Sequence, residues 1–118
     1  MKNHSPAFVN LVNGVKTRIK EVSTKSVKER LEKGEKFTII DVREDHEWEK
    51  GHIPSAIHLS KGIIERDIEK LIPDKSQEII LYCGGGFRSA LTCDNLQKMG
   101  YTLVYSMEGG FRSWKDAR

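Results

Sequence analysis

Two runs, Phe37-Thr38-Ile39-Ile40-Asp41-Val42 and Ile79-Ile80-Leu81-Tyr82, have the length of a strand but not the apolar–polar alternation of a half-exposed one. Such strands need cover on both faces, which is the situation of a parallel sheet flanked by crossover helices. The intervening segments supply those helices. A stretch capped by Ser23 or Thr24 carries Val27 and Leu31 and stops at Gly34. An acidic stretch, about 44–50, ends at Gly51. Ile63, Ile64, Ile68 and Leu71 recur at helical spacing before Pro73, and Ala90, Leu91, Leu96 and Met99 do so before Gly100. Shorter strands fit near 19–22, 57–59 and 103–105, and a last short helix carries Phe111 and Trp114. Strands alternating with helices predict an α/β fold of three layers, a parallel sheet of about five strands with helices on both faces. Ahead of it, Phe8, Leu11, Val12, Val15 and Ile19 mark an amphipathic helix over residues 6–18, with Pro6 in its first turn.

The chain has 118 residues, a length that fits one domain with a real core. No run approaches the ~18 apolar residues of a membrane span, and the first residues lack the apolar core of a secretory signal. Two cysteines are too few for a disulfide scaffold and have no metal-ligand spacing. A soluble, cytoplasmic domain without membrane attachment is expected. The net charge of +3 is unevenly spread. Residues 1–36 hold nine Lys/Arg against four Asp/Glu, a balance of +5, and residues 37–118 hold eleven against thirteen, a balance of −2. The basic third lacks the interleaved aromatics of a single-strand binder, so it reads as a solvated surface and no nucleic-acid partner is expected.

The chemistry concentrates where the second apolar run enters Cys83-Gly84-Gly85-Gly86-Phe87-Arg88-Ser89. Ligands of open α/β sheets bind at the carboxyl ends of strands, and Cys83 sits at one, just before a helix. Glycines let the backbone turn its N–H groups inward as an anion nest. The helix N-terminus adds partial positive charge, and Arg88 adds a full one. All three favour thiolate over thiol, so Cys83 is expected to be a nucleophile. Cys93, ten positions on within the helix, lies too far away for a disulfide and reads as core.

This loop resembles the Cys-x-x-Gly-x-Arg-Ser loop of the rhodanese-like sulfurtransferases, position by position. Asp41-Val42-Arg43-Glu44, Gly51-His52-Ile53-Pro54-Ser55-Ala56 and Glu108-Gly109-Gly110-Phe111-x-x-Trp114 are similar to three further patches of that family, in its order and spacing. The resemblance covers about residues 24–117. It implies a rhodanese-like domain over 19–118, with residues 1–18 as an N-terminal helical extension. It also implies double displacement. The Cys83 thiolate takes the outer sulfur of a donor such as thiosulfate, becomes a persulfide, and yields that sulfur to cyanide, a cellular thiol or a protein acceptor. The persulfide is itself the carrier, so no metal or organic cofactor is expected. Gly84, Gly85, Gly86, Phe87 and Arg88 would form the substrate loop.

Asp41 and Arg43 are expected to brace the site as an ion pair, with the alternative that Asp41 tethers Arg88. His52 and His58 read as structural hydrogen-bonding residues, and Trp48 and Trp114 as packing. Two rival readings accompany sulfur transfer. A phosphatase or arsenate reductase would use a Cys–Arg loop with five intervening residues, whereas this loop has four. A non-catalytic docking module would usually lack the cysteine.

Overall fold

The structure, a computed structural model, describes residues 4–117. In chain order it comprises α1 (Pro6–Lys16), β1 (Glu21–Val22), α2 (Thr24–Glu32), β2 (Thr38–Asp41), α3 (Asp45–Glu49), β3 (Ile57–His58), α4 (Ile64–Leu71), β4 (Ile79–Tyr82), α5 (Phe87–Lys98), β5 (Val104–Met107) and α6 (Gly110–Asp116). The five strands form one parallel sheet in the order β1-β5-β4-β2-β3. β4 is central, hydrogen-bonded to β5 on one side and β2 on the other.

The unbroken apolar run of β4 serves two cores at once. Ile79 and Leu81 point into a layer with Ile64 and Ile68 of α4 and Cys93 and Leu96 of α5. Ile80 and Tyr82 point the other way, toward Val27 of α2 and Met107, with Phe111 and Trp114 of α6 against them. Period-two alternation thus sends successive apolar residues into opposite cores. The three-layer α/β/α architecture follows.

Element ends differ from the sequence-based expectation by a few residues. β5 runs to Met107 because Ser106 and Met107 pair with Glu21 and Val22 of β1. α1 ends at Lys16, and Arg18 turns away to donate twice to the Asp94 carboxylate, at 2.9 and 3.1 Å. α2 is capped as expected, with the Ser26 N–H donating to Ser23 Oγ at 3.0 Å.

α1 lies outside the α4/α5 layer and packs mainly on α5. Val12 and Val15 are buried against Ala90, with Phe8, Phe87 and Leu91 around them. Leu11, expected on the buried stripe, is 56% exposed. The cluster on α5 covers Val12 and Val15 fully and Phe8 and Ile19 in part, which leaves Leu11 facing water.

Candidate active site

Cys83 follows β4, at the carboxyl edge of the sheet between β5 and β2. The chain then bends through Gly84-Gly85-Gly86 into α5. Gly86 occupies the position before the helix with φ +98°, and a Cβ there would lie 3.3 Å from the Gly109 nitrogen. That left-handed turn aims the Gly86 N–H at Cys83 Sγ, 3.1 Å away. A second donor, the Ser89 N–H in the first turn of α5, lies 3.4 Å from the same sulfur. Ser89 Oγ is 3.6 Å from Sγ and is held by Ser106 Oγ at 2.8 Å. A negative charge on Sγ would therefore meet two backbone donors at a helix start.

The loop's outer side rests on α6. The Phe111 N–H donates to Cys83 O at 2.7 Å, and the Arg112 N–H donates to Gly84 O at 3.1 Å. So close an approach demands Gly110, which has φ +57°. A Cβ on it would overlap the Cys83 carbonyl oxygen and sit 2.7 Å from the Gly84 carbonyl carbon. The Glu108-Gly109-Gly110 motif is thus a seat for the reactive loop.

The other motifs lock onto one another beside it. Arg43 grips Asp41 through Nε and Nη2, with the shortest contact 2.8 Å, and also donates to Gly51 O at 2.8 Å. Its guanidinium lies 4.4 Å from the centre of the Phe111 ring. The Ile53 N–H donates to the buried Tyr82 hydroxyl at 3.1 Å. His58 Nε2 bonds Arg43 O at 2.8 Å, and His52 stacks on Trp48 with ring centres 3.5 Å apart. Asp41 and Arg43 therefore pair with one another, and neither lines the pocket over Cys83.

The alternative that Asp41 tethers Arg88 does not hold. Arg88 donates from both terminal nitrogens to Glu47 of α3, at 2.8 and 3.1 Å. This pairing holds the Glu47 carboxyl down at about 2 and offsets much of the positive charge that Arg88 would otherwise bring.

Above the sulfur lies a pocket of about 420 Å³. Cys83, Gly84, Gly85, Phe87 and Arg88 form its floor, as the sequence suggested. The walls hold residues that sequence reasoning missed: Arg112 from α6, Glu44, His46 and Glu47 around α3, and His4 and Phe8 at the start of α1. Gly86, by contrast, points its N–H at the sulfur from below. The His4 ring centre is 4.5 Å from that of Phe87, and Phe8 is 5.7 Å from it. Arg112 was the one with a signal, being next to the Gly-Gly-Phe motif. Cys93 is wholly buried, and burial pushes its thiol up to about 12. It is a core residue. Among the described residues, no group of three His, Cys, Asp or Glu is placed to hold a metal, and no helix is long and apolar enough to cross a membrane.

The "Putative sulfurtransferase YtwF" of Bacillus subtilis is 41% identical over 97 residues, covering 82% of this chain and 91% of its own. Thiosulfate sulfurtransferase GlpE of Coxiella burnetii is 36% identical over 85 residues, covering 72% and 78%. A solved structure from Rhodopseudomonas palustris superposes with a TM-score of 0.86 at 26% identity, over 98% of this chain and 94% of its own. That protein is described as of unknown function and a possible tyrosine phosphatase, and its likeness extends over α1. The family description Rhodanese-like domain matches residues 23–117, and with the sheet order, the four interlocking motifs and these relatives, the chain belongs to the rhodanese-like domain family.

Proposed function

We propose that this protein is a sulfurtransferase that carries sulfane sulfur as a persulfide on Cys83. The observation that bears most weight is the pair of N–H groups on Sγ, from Gly86 and Ser89, beneath an open pocket. Relatives named as sulfurtransferases support the general activity, and the one named for thiosulfate supports that donor.

In the first half-reaction, the Cys83 thiolate attacks the outer sulfur of thiosulfate. A new S–S bond forms, the S–S bond of thiosulfate breaks, and its electron pair leaves on sulfite. The product is Cys83–S–S⁻, with charge conserved. In the second, an acceptor nucleophile attacks the outer sulfur and returns the thiolate. Cyanide would leave as thiocyanate, and a thiolate as an organic persulfide. Neither step needs a base, a metal or an organic cofactor, since both nucleophiles enter as anions. The backbone donors suit this cycle because they steady whichever sulfur carries the charge. Gly84, Gly85, Phe87 and Arg88 form the surface against which the donor lies. A reducing cytoplasm fits two free cysteines and a sulfur that must return to thiolate each turn.

The test is mass measurement after incubation with thiosulfate, followed by cyanide. One sulfur should be gained on the peptide carrying Cys83 and then lost as thiocyanate, and Cys83→Ser should gain none. A wild-type protein that gains no sulfur from thiosulfate or from an organic persulfide would overturn the proposal.

A further inference from the structure

Two hydroxyls lie beneath Cys83, on the side away from the pocket. Ser89, in the first turn of α5, and Ser106, in β5, are both wholly buried. Ser106 stands in register between Leu81 of β4 and Glu21 of β1. By strand alternation it shares its face of β5 with Val104, which packs in the apolar layer with Cys83, Cys93 and Leu96. A hydroxyl is costly in such a place unless it is hydrogen-bonded. Among the described residues, the one side-chain hydrogen bond of Ser106 is to Ser89 Oγ, at 2.8 Å. Ser89 Oγ in turn lies 3.6 Å from Cys83 Sγ. Packing gives no reason for a serine at 106; the line of three atoms does.

A hydroxyl within a helix tends to bond the carbonyl one turn back in its own helix. Thr92 of α5 does so, donating to Arg88 O at 3.0 Å. The Ser89 hydroxyl, on the same helix, reaches across to β5 instead. Ser106 is what holds it there. The pair also fixes how the protons run. With negative charge on Sγ, the Ser106 O–H donates to Ser89 Oγ, and the Ser89 O–H is left for the sulfur. When the charge leaves, both hydroxyls can turn about their C–O bonds, and no proton leaves either residue.

We propose that Ser106 is a positioning residue for sulfur transfer: it keeps the Ser89 hydroxyl under Cys83, so that a third donor meets Sγ whenever that atom becomes negative. This assignment rests on the sulfurtransferase proposal above. The step it serves is discharge. The acceptor anion attacks the outer sulfur of the persulfide, the S–S bond breaks, and its electron pair stays on Sγ. Charge therefore gathers on the atom that the Ser89 hydroxyl faces. In charging, Sγ gives its charge up, so the same donor brings no gain in rate.

The test uses the full chain, charged from thiosulfate and checked by mass. At saturating cyanide, discharge should slow roughly tenfold in Ser106→Ala, the scale of one hydrogen bond to a charged group, with KM for cyanide unchanged. Charging at alkaline pH should not slow, whereas a loosened site would slow both half-reactions. Ser89→Ala should slow discharge as much, and the double variant no further, because Ser106 acts through Ser89. Ser106→Thr and Ser106→Val have nearly the same shape, so the first should keep most of the rate and the second lose it. Val104→Ala loosens the same layer but leaves the pair alone, and its discharge should match the wild type. Wild-type discharge in Ser106→Ala, equal rates in the threonine and valine variants, or losses that multiply in the double variant overturn the proposal.

A second measurement does not depend on sulfur transfer. In uncharged protein, the rate at which iodoacetamide alkylates Cys83 should reach half its plateau at higher pH in Ser106→Ala and Ser106→Val than in wild type or Ser106→Thr, because the thiolate has lost a donor. The charged and titratable groups around the sulfur stay the same in all four proteins: Arg88, Glu44, His46, Glu47, Arg112 and His4 on the pocket side, and Glu21 with Lys16 on the β1 side. An unmoved midpoint overturns the role of Ser106 whether or not the protein charges. Failure to charge from any donor overturns sulfur transfer, and the discharge role with it.

Discussion

Arg88 and Glu47 face each other end on, both terminal nitrogens of the guanidinium against both oxygens of the carboxylate, at 2.8 and 3.1 Å. They are forty-one positions apart, on α5 and α3, and the pair ties the helix that follows the reactive cysteine to the one that follows β2. Glu47 also accepts from the Glu44 N–H at 3.0 Å, which fixes its direction.

The pair predicts a pH dependence. The folded state holds Glu47 at about 2, against an ordinary 4.5, chiefly through the hydrogen bonds from Arg88. Its contribution is therefore fully present above pH 4.5 and lost as pH falls toward 2. About a third of each side chain is exposed, so the pair is worth only about 1 kcal/mol. Urea unfolding of wild type and Glu47→Gln should differ by that amount at pH 6 and converge near pH 2. At pH 7 the variant leaves Arg88 uncompensated, so its KM for thiosulfate should fall at low salt, and the gain should shrink as salt screens it. A constant stability difference across this range would mean that the ion pair does not form.

The two cysteines should part company under alkylation. Cys83 is 1% exposed but borders the pocket with two N–H donors on its sulfur, whereas Cys93 borders no pocket among the described residues and has its thiol pushed up to about 12 by burial. Limiting iodoacetamide at pH 7, followed by peptide mapping, should label Cys83 alone. Cys93→Ala should keep sulfur transfer and lose roughly 1 kcal/mol of stability through the small cavity it leaves. Preferential labelling of Cys93 would reverse the assignment of roles.

Glycines of the same chain should respond with opposite signs. Gly110→Ala forces a left-handed residue and drives a methyl into the Cys83–Gly84 backbone. Strain and overpacking together predict a loss of roughly 2–4 kcal/mol, with sulfur transfer failing as the loop shifts. Gly14 lies inside α1 with nothing within 4 Å of the added Cβ, so Gly14→Ala should stabilise by about 0.5–1 kcal/mol. Thermal melts of the two variants decide it. A neutral Gly110→Ala would show that α6 does not seat the loop.

The layered sheet was readable in the chain because its signals are local. Ile79 to Tyr82 is apolar at every position, and only a strand between two helical layers can bury all four. Cys83 and its glycines were readable for the same reason, since strand, loop and helix adjoin in sequence. What escaped is what the fold brings from afar. No local pattern pairs Arg88 with Glu47, because their meeting depends on where the Arg43–Gly51 contact sets α3. Asp41 pairs in register with Tyr82, next to the motif, but Arg43 occupies its carboxylate. Phe8 reaches the pocket only because Val12 and Val15 seat α1 on α5, a placement that the helical stripe alone leaves open.

The likeness to a possible tyrosine phosphatase makes loop length the sharpest remaining discriminator. Four residues, Gly84 to Phe87, separate Cys83 from Arg88. With that span, the Gly86 N–H already points at Sγ from 3.1 Å, and the Ser89 N–H from 3.4 Å. Both donors converge on the sulfur itself. A phosphoryl group on Sγ would need donors arrayed around three oxygens farther out, and the Arg88 fork, the side chain suited to serve them, is occupied by Glu47. The wild type should therefore transfer sulfur from thiosulfate to cyanide and show negligible hydrolysis of an aryl phosphate. Inserting one glycine after Gly85 widens the loop and moves both N–H groups off the sulfur. Displacement of about an ångström can lower a rate roughly hundredfold, so sulfur transfer should fall on that scale while slow aryl-phosphate hydrolysis emerges. Cys83→Ser should abolish transfer outright, since a hydroxyl is neither ionised at pH 7 nor able to carry a persulfide. Paired steady-state assays on wild type, the insertion and Cys83→Ser supply the measurement. Aryl-phosphate turnover exceeding sulfur transfer in the wild type would place this chain with the phosphatases.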